Sequence, residues 1–372
     1  MSLYCERLDA LKKEGTFRTL QDLEIKGKYV EMAGQRLLNL SSNDYLGLQA
    51  MPELRQEFLA SPLSDVPFSA SSSRLLSGND RVYREFEDFL TEVYGFPSAL
   101  VWGGGFHANS GIIPVLGGKD TFFILDRLVH ASIIEGIKLS RSGFTRFTHN
   151  DVRSLEAQLR RASSEGYAHI WVVVESVYSM DGDIAPLREI ATLKQLFPEM
   201  HLYVDEAHGM GVFGGGLGVA KELGILPDVD LLMGTLGKGI SSVGAFSLQS
   251  PELRDLFVSS ARPFIYATAL PPFNVAWSRF VFEKVLRMDE RRIHLRRLMS
   301  LLDPALESPI MSFIIPDRIL DAVKDLTDEG FFVRPVRKPT VPAGTERLRL
   351  SLTAAMEEDE VRKLKEVLAR WK

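Results

Sequence analysis

HIWVVVES (169–176), PLREIATLKQLFP (186–198) and HLYVDEAHG (201–209) follow one another in the chain, and their reading decides the fold. The first and third are short, continuous apolar runs. The second spaces its apolar residues at helical intervals and opens on a proline. Strand, helix and strand, with neither strand alternating in polarity, predict a parallel sheet covered by helices on both faces. The pattern extends outward: ALVW (99–102), TFFILD (121–126), DLLMGTLGK (230–238) and VGAFSLQ (243–249) read as further strands, and DRVYREFEDFLTEVYG (80–95) as a helix. The expected class is α/β, a mostly parallel sheet sandwiched by helices.

After Pro271–Pro272 the pattern changes. One long charged amphipathic helix is expected over 273–302. PIMSFIIPD, a helix near 318–329, FFVRPV, RLRLSL and a terminal helix follow, an order that suggests a smaller α+β domain. Residues 1–36 mix charged and apolar residues at helical spacing and then reach Gly27 and Gly34, which predicts an arm and a hairpin. The expected organisation is an arm over 1–38, a large domain over 39–272 and a small domain over 273–372.

The 372 residues suit one large or two unequal domains, and apolar (45%) and charged (25%) fractions are those of a globular chain. With 44 basic against 49 acidic residues the net charge is −5, without the basic excess of a nucleic-acid binder. Cys5 is the only cysteine, which excludes an intrachain disulfide and a cysteine metal site. The start carries no apolar signal segment and no run is long enough to span a bilayer, so a cytoplasmic protein with no membrane partner is expected.

Three segments could carry chemistry. In ALVWGGGFHANSG, Gly103, Gly104 and Gly105 separate a strand from a helix. That is either a plain turn or an anion site built on a helix N-terminus. In HLYVDEAHG, Asp205 and His208 stand just past a strand, at the carboxyl edge where open α/β sheets bind ligands. VDEAH also spells the acidic box of a DEAH-type nucleotide hydrolase, but no G-x-x-x-x-G-K-[ST] loop lies upstream. In DLLMGTLGKGISS, Lys238 follows another strand between Gly237 and Gly239, with Thr235 three residues before it. A lysine there is a surface turn residue or an amine placed for Schiff-base chemistry. Amine, carboxylate and anion site match the aldehyde, ring nitrogen and phosphate of pyridoxal 5′-phosphate (PLP). His130 could stack on a flat ring or cap a junction, and Ser179 and Asp181 could line the same crevice or form a turn. His107, His149, His169, His201 and His294 show no metal-ligand spacing and are read as structural or exposed.

Nine strings in order resemble the α-oxoamine synthases, fold type I PLP enzymes: SSNDYLGL (41–48), SRLLSGN (73–79), DRLVHASIIEG (126–136), RFTHND (146–151), ESVYSMDGDIAPL (175–187), VDEAHGMGVFG (204–214), GTLGKG (234–239), YATALPP (266–272) and PTVPAGTERLRLSLTAA (339–355). They span nearly the whole chain and look most like the 8-amino-7-oxononanoate synthase branch. Relatives such as glycine C-acetyltransferase share the cofactor site. SASSS (69–73), which carries no glycine, and Met356 depart from the family pattern.

The resemblance implies these roles. Lys238 would hold PLP and move the substrate's Cα proton. Asp205 would pair with the ring nitrogen, His208 would reach the phenolic oxygen, His130 would stack on the ring, and Ser179 would lie close to it. Gly105 and Phe106 N–H groups, the Thr235 hydroxyl, and Thr268 from a second subunit would hold the phosphate. Arg349 would clamp the amino acid carboxylate. Arg18 would lie near the acyl substrate, and Asn43 would face the partner subunit's site. The implied enzyme is a homodimer that joins L-alanine to pimeloyl-CoA or pimeloyl-acyl carrier protein, releasing CO2 and thiol, in biotin biosynthesis.

Overall fold

The computed structural model describes residues 2–338 and 340–371. Pro339, first of the PTVPAGTERLRLSLTAA string, lies outside the described residues, as do Met1 and Lys372. The chain divides into two compact units, one of residues 44–179 with 183–293, the other of residues 1–43, 180–182 and 294–372.

The larger unit is built on a seven-stranded sheet in the order Ser98–Trp102, Ala245–Gln249, Leu231–Thr235, Met200–Asp205, His169–Glu175, Thr121–Asp126, Gly143–Phe147. Ala245–Gln249 runs antiparallel to both neighbours, and every other pairing is parallel. His169–Glu175 and Leu231–Thr235 are the continuous apolar runs seen in the sequence, and almost every residue in them is buried. Gly143–Phe147, which the sequence reading did not assign, is the exposed edge strand. Four of its five residues are exposed or half-buried, and only Phe147 is buried.

Local signals place the helices. Arg81–Tyr94 starts where Asp80 accepts the Val82 N–H at 3.1 Å and stops at Gly95, whose φ of 76° lies in the left-handed region. Its apolar stripe, Val82, Tyr83, Phe86 and Leu90, is buried. Gly105–Leu116 and Ala131–Ser140 cover one face of the sheet, where Ile112, Ile113, Ile133 and Ile137 pack on Phe123, Leu125, Val173 and Tyr203. Each such side chain contributes about 1.5–3 kcal/mol by leaving water.

The single helix expected over 273–302 is two helices, Pro272–Val285 and Asp289–Leu302. Buried Arg292 explains the break. Its guanidinium donates to the Val285 carbonyl at 2.7 Å and the Leu286 carbonyl at 3.4 Å, and it pairs with Asp289 at 2.8 Å. The carbonyls that end the first helix are thus satisfied by a cation one turn into the second. The charge pattern read as one amphipathic helix contains a cap.

The smaller unit carries two sheets. One orders Glu24–Lys26, Tyr29–Met32, Gln35–Asn39 and Phe331–Phe332. The other orders Ile310–Ile314, Arg347–Ser351 and Pro335–Val336. Helices Leu3–Lys13, Ile319–Asp328 and Glu358–Ala369 belong to it. The N-terminal helix and hairpin belong to this unit together with the C-terminal elements, and residues 273–293 belong to the larger unit. No helix among the described residues is long and apolar enough to cross a membrane.

Candidate active site

Parallel strands deliver their last residues to one edge. Asp126, Glu175, Asp205 and Thr235 each end a strand of the larger unit, and Glu175 and Asp205 are register partners. The turns beyond them carry His130, Ser179, His208 and Lys238, and the turn after Ser98–Trp102 leads into a helix that opens with Gly105 and Phe106.

Asp205 is 3% exposed, and both of its oxygens are engaged. One accepts the Ala207 N–H at 2.9 Å, the other the Asn109 side-chain amide at 3.0 Å. Asn109 is held in turn by the Tyr203 hydroxyl and donates to Ser132 Oγ at 2.9 Å, which lies 2.7 Å from His130 Nδ1. A buried polar chain therefore runs from Asp205 to His130. Desolvation lowers the His130 pKa, the Asp205 charge opposes it, and Lys238 adds to the lowering, so this imidazole is predominantly neutral. His130 also caps the Ala131–Ser140 helix through the Ser132 N–H.

On the other side, Lys238 Nζ stands 2.8 Å from His208 Nε2, and His208 Nδ1 stands 2.6 Å from the Tyr45 hydroxyl. Tyr45 and His208 are buried and Lys238 is half-buried. Amine, imidazole and phenol form one line, with the amine at the outer end.

Glu175 is buried beside Asp205, and its Oε1 makes no hydrogen bond. Burial and then the Asp205 charge push its pKa well above the carboxylate range, against the pull of Lys238, and the net shift favours the protonated form of Glu175. Glu206 faces the opposite way. It accepts the Val219 and Ala220 N–H groups and the Ser176 hydroxyl, and burial raises its pKa to about 7. Its work is to fix the 218–222 turn.

The glycine turn meets Thr235. Gly105 opens the helix Gly105–Leu116, whose first N–H groups have no intrahelical acceptor. A Cβ on Gly105 would lie 2.6 Å from Thr235 Cγ2. The Thr235 hydroxyl is buried and makes no hydrogen bond. Thr268 lines a cavity of about 190 Å³ with Gly103, His107, Trp102, Arg74 and Tyr83.

The remaining candidates fall in the smaller unit. Arg349 lies on Arg347–Ser351, is 8% exposed, and donates to Ser351 Oγ at 2.7 Å. Arg18 donates to Thr340 Oγ1 at 3.2 Å and lines a cavity with Phe17, Arg334, Arg337 and Lys338. Asn43 is half-buried just past Leu40, whose carbonyl accepts the Ser351 N–H. Asp181, read as a crevice residue or a turn former, pairs with Arg347.

Sequence reasoning missed Tyr45, Asn109, Ser132, Glu175 and His149. Each sits in a quoted string, but its importance comes from a partner at least 20 positions away. No group of three or more His, Cys, Asp or Glu able to hold a metal occurs among the described residues.

The residues present fit PLP. A phosphate needs donors, and the buried Thr235 hydroxyl is without a partner on a residue whose methyl packs against Gly105, where a side chain would intrude. A pyridine nitrogen needs a buried carboxylate, and Asp205 would meet that need. An aldehyde needs an amine, and Lys238 supplies it.

Residues 35–368 match the family model described as aminotransferase class I and II. Relatives from Haemophilus influenzae (strain Rd) and Pasteurella multocida (strain Pm70) carry the provisional name 8-amino-7-oxononanoate synthase. They are 41% and 42% identical, the first over 97% of this chain and 98% of its own, the second over 96% of both. A serine palmitoyltransferase from S. paucimobilis, solved with PLP–myriocin bound, overlays with a TM-score of 0.88 at 29% identity, covering 98% of this chain and 95% of its own. An 8-amino-7-oxononanoate synthase from Francisella tularensis shares the fold, with a TM-score of 0.75 at 24% identity, covering 90% of this chain and 97% of its own. The chain belongs to the aminotransferase class I and II family, within its α-oxoamine synthases, and is a PLP-dependent transferase of fold type I.

Proposed function

We propose that this enzyme condenses L-alanine with a pimeloyl thioester, on coenzyme A or on an acyl carrier protein, to give 8-amino-7-oxononanoate, CO2 and the free thiol. The site observation behind it is a lysine amine 2.8 Å from a buried imidazole, at the strand edge that also presents the buried Asp205 carboxylate. The choice of alanine and pimeloyl groups rests on the name carried by relatives 41–42% identical over nearly the full chain. A working homodimer in the cytoplasm, feeding biotin biosynthesis, belongs to the same reading.

PLP, when bound, supplies an electron sink for the pair left on the amino acid Cα. Lys238 would hold it and, once displaced by alanine, remove the Cα proton as general base. His208 and Tyr45 would orient the amine through the hydrogen-bonded line that ends on it. Asp205 would pair with the ring nitrogen, and neutral His130 would cover the ring face without adding a positive charge. Ser179 would close the ring's rim. Gly105 and Phe106 N–H groups, the Thr235 hydroxyl and Thr268 of a second copy would hold the phosphate. Arg349 would take the alanine carboxylate, with Arg18 and Asn43 serving the acyl side. A new bond then joins the alanine Cα to the thioester carbonyl carbon. The thiolate leaves and takes a proton, the carboxylate departs as CO2, and Cα is reprotonated.

The test is a spectral titration of holoenzyme with L-alanine, glycine and L-serine, followed by pimeloyl-CoA, with thiol and CO2 release measured. Response to alanine and thiol release with pimeloyl-CoA support the assignment. Response to glycine with acetyl-CoA moves it to glycine C-acetyltransferase, and response to serine with palmitoyl-CoA moves it towards the serine palmitoyltransferases that overlay so well. Nucleotide turnover without a PLP band would restore the DEAH hydrolase reading and end this one.

A further inference from the structure

His149 follows the edge strand Gly143–Phe147 and enters a cluster that none of the proposed roles uses. Its Nδ1 lies 2.9 Å from Asp126 Oδ1 and its Nε2 lies 2.6 Å from Asp183 Oδ2. A ring nitrogen facing a carboxylate is a donor, and here both nitrogens face one, so the ring carries both protons. Burial alone would lower its pKa, but the hydrogen bonds to Asp126 and Asp183 and then their charges outweigh it and raise it to about 10.

Each carboxylate also holds a loop. Asp126, fully buried, accepts the Leu128 N–H at 2.8 Å and the Asn150 N–H at 2.9 Å, which shapes the turn leading to His130. Asp183 closes the hairpin that carries Ser179. Its carbonyl accepts the Tyr178 N–H at 3.0 Å, and Val177 and Ile184 form the bridge at the hairpin's base. Asn150, at φ 54°, donates its amide to Asp183 Oδ2 at 2.7 Å and to the Ile184 carbonyl at 3.2 Å. The Tyr178 ring meets the imidazole edge-on, with centroids 4.4 Å apart. Without a cation between them, Asp126 and Asp183 would face each other as like charges, with the neutral Asn150 left to bridge the two loops.

We propose that His149 is a positioning residue, a fixed imidazolium that ties the turn carrying His130 to the hairpin carrying Ser179 and so sets the spacing of the cofactor site's walls. The roles of His130 and Ser179 rest on the function proposed above. The charge of His149 and its effect on cofactor affinity do not depend on which thioester is used.

The test compares the wild-type protein with His149→Gln and Asp183→Asn. Nitrogen-15 NMR of the histidine side chains reads the charge directly, and titration of the apoprotein with PLP reads affinity from about pH 6 to 9. In the wild type, His149 stays doubly protonated across that range. In Asp183→Asn it keeps one carboxylate and titrates within the range, and PLP affinity gains an alkaline step of about tenfold whose midpoint follows the His149 signal. His149→Gln shows the weakened affinity throughout, without the step. A purely structural cluster would lower the melting temperature of both variants and leave no affinity step tied to the His149 charge. That result overturns the proposal, as does a wild-type His149 that loses its proton below about pH 8. Failure to condense alanine with pimeloyl-CoA, in a protein that binds PLP, would remove the proposed function and leave these two measurements to decide on His149.

Discussion

Replacing Gly105 by alanine tests the phosphate cradle most directly. Gly105 does not have a positive φ, so alanine fits the backbone and the effect is one of contact alone. The new Cβ would lie 2.6 Å from Thr235 Cγ2, against an ordinary contact of 3.4 Å or more, an overlap of 0.8 Å or more. Thr235 cannot retreat, because it closes the strand Leu231–Thr235 and is paired with Ala245. It can relieve the overlap by turning about χ1, which for a β-branched residue moves the hydroxyl as well as the methyl. In the proposed function that hydroxyl is a donor to the phosphate. Losing one hydrogen bond to a charged group removes about 1.5–3 kcal/mol, or about 10- to 150-fold in affinity. Gly105→Ala is therefore expected to weaken PLP binding by that factor and to cost about 1–3 kcal/mol of stability by overpacking. The assay is titration of the apoprotein with PLP and, separately, with pyridoxal, which has no phosphate. Thr235→Val should reproduce the loss without the overlap, and the double variant should be less than additive because both changes act on one donor. A variant that binds PLP within twofold of the wild type, or that weakens PLP and pyridoxal equally, would refute the reasoning.

Tyr45→Phe removes the hydroxyl 2.6 Å from His208 Nδ1. It should lower kcat about tenfold, the worth of one buried hydrogen bond, with KM for the amino acid little changed, as steady-state kinetics will show. Glu175→Gln removes an acid whose folded pKa lies well above the ordinary value. The folded protein holds this proton more tightly than the unfolded chain, so wild-type stability falls as pH rises past the ordinary glutamate range. The variant lacks that loss, and its melting temperature relative to wild type should climb between about pH 5 and 8 in the apoprotein. Arg292→Ala removes a charged donor from the Val285 and Leu286 carbonyls, of which Val285 keeps the Met288 N–H, and should cost about 1–3 kcal/mol in denaturant unfolding.

The strands were legible because a sheet covered on both faces demands continuous apolar runs, and HIWVVVES and DLLMGTLGK are such runs. The edge strand Gly143–Phe147 was not, since a half-exposed strand with Arg146 and Thr145 looks like a loop. The helix break at 286–288 was hidden for a related reason: Arg292 reads as one more solvent-facing charge until its guanidinium is seen on the carbonyls of the turn before it. Most of the candidate residues of the larger unit stood out in the sequence because they end a strand or follow one closely, as Asp205, His208, Thr235 and Lys238 do. What sequence could not supply was pairing. Asn109 matters because Asp205, 96 positions later, accepts its amide, and Tyr45 because His208, 163 positions later, meets its hydroxyl. His149 was set aside as structural or exposed because a lone histidine has no meaning until two carboxylates close on it.

Those pairings share one electrostatic problem. Bringing parallel strands to a common edge puts Asp126, Glu175 and Asp205 on three adjacent strands, two of them register partners, all within 3% of full burial. Three buried anions so arranged would repel, and burial makes each of them costly. The structure answers each differently. Asp126 is met by the His149 cation, with Asp183 on its far side. Glu175 keeps its proton. Asp205 is held by two neutral donors, Asn109 and the Ala207 N–H. In the proposed function it receives its cation from the cofactor's ring nitrogen. On that reasoning the order of the variants is fixed: Glu175→Gln leaves Asp205 the only anion awaiting a partner and should preserve PLP affinity, whereas Asn109→Leu strands Asp205 and should weaken it by more than about tenfold. Equal PLP affinities for these two variants would show that the three carboxyls are not managed as a set.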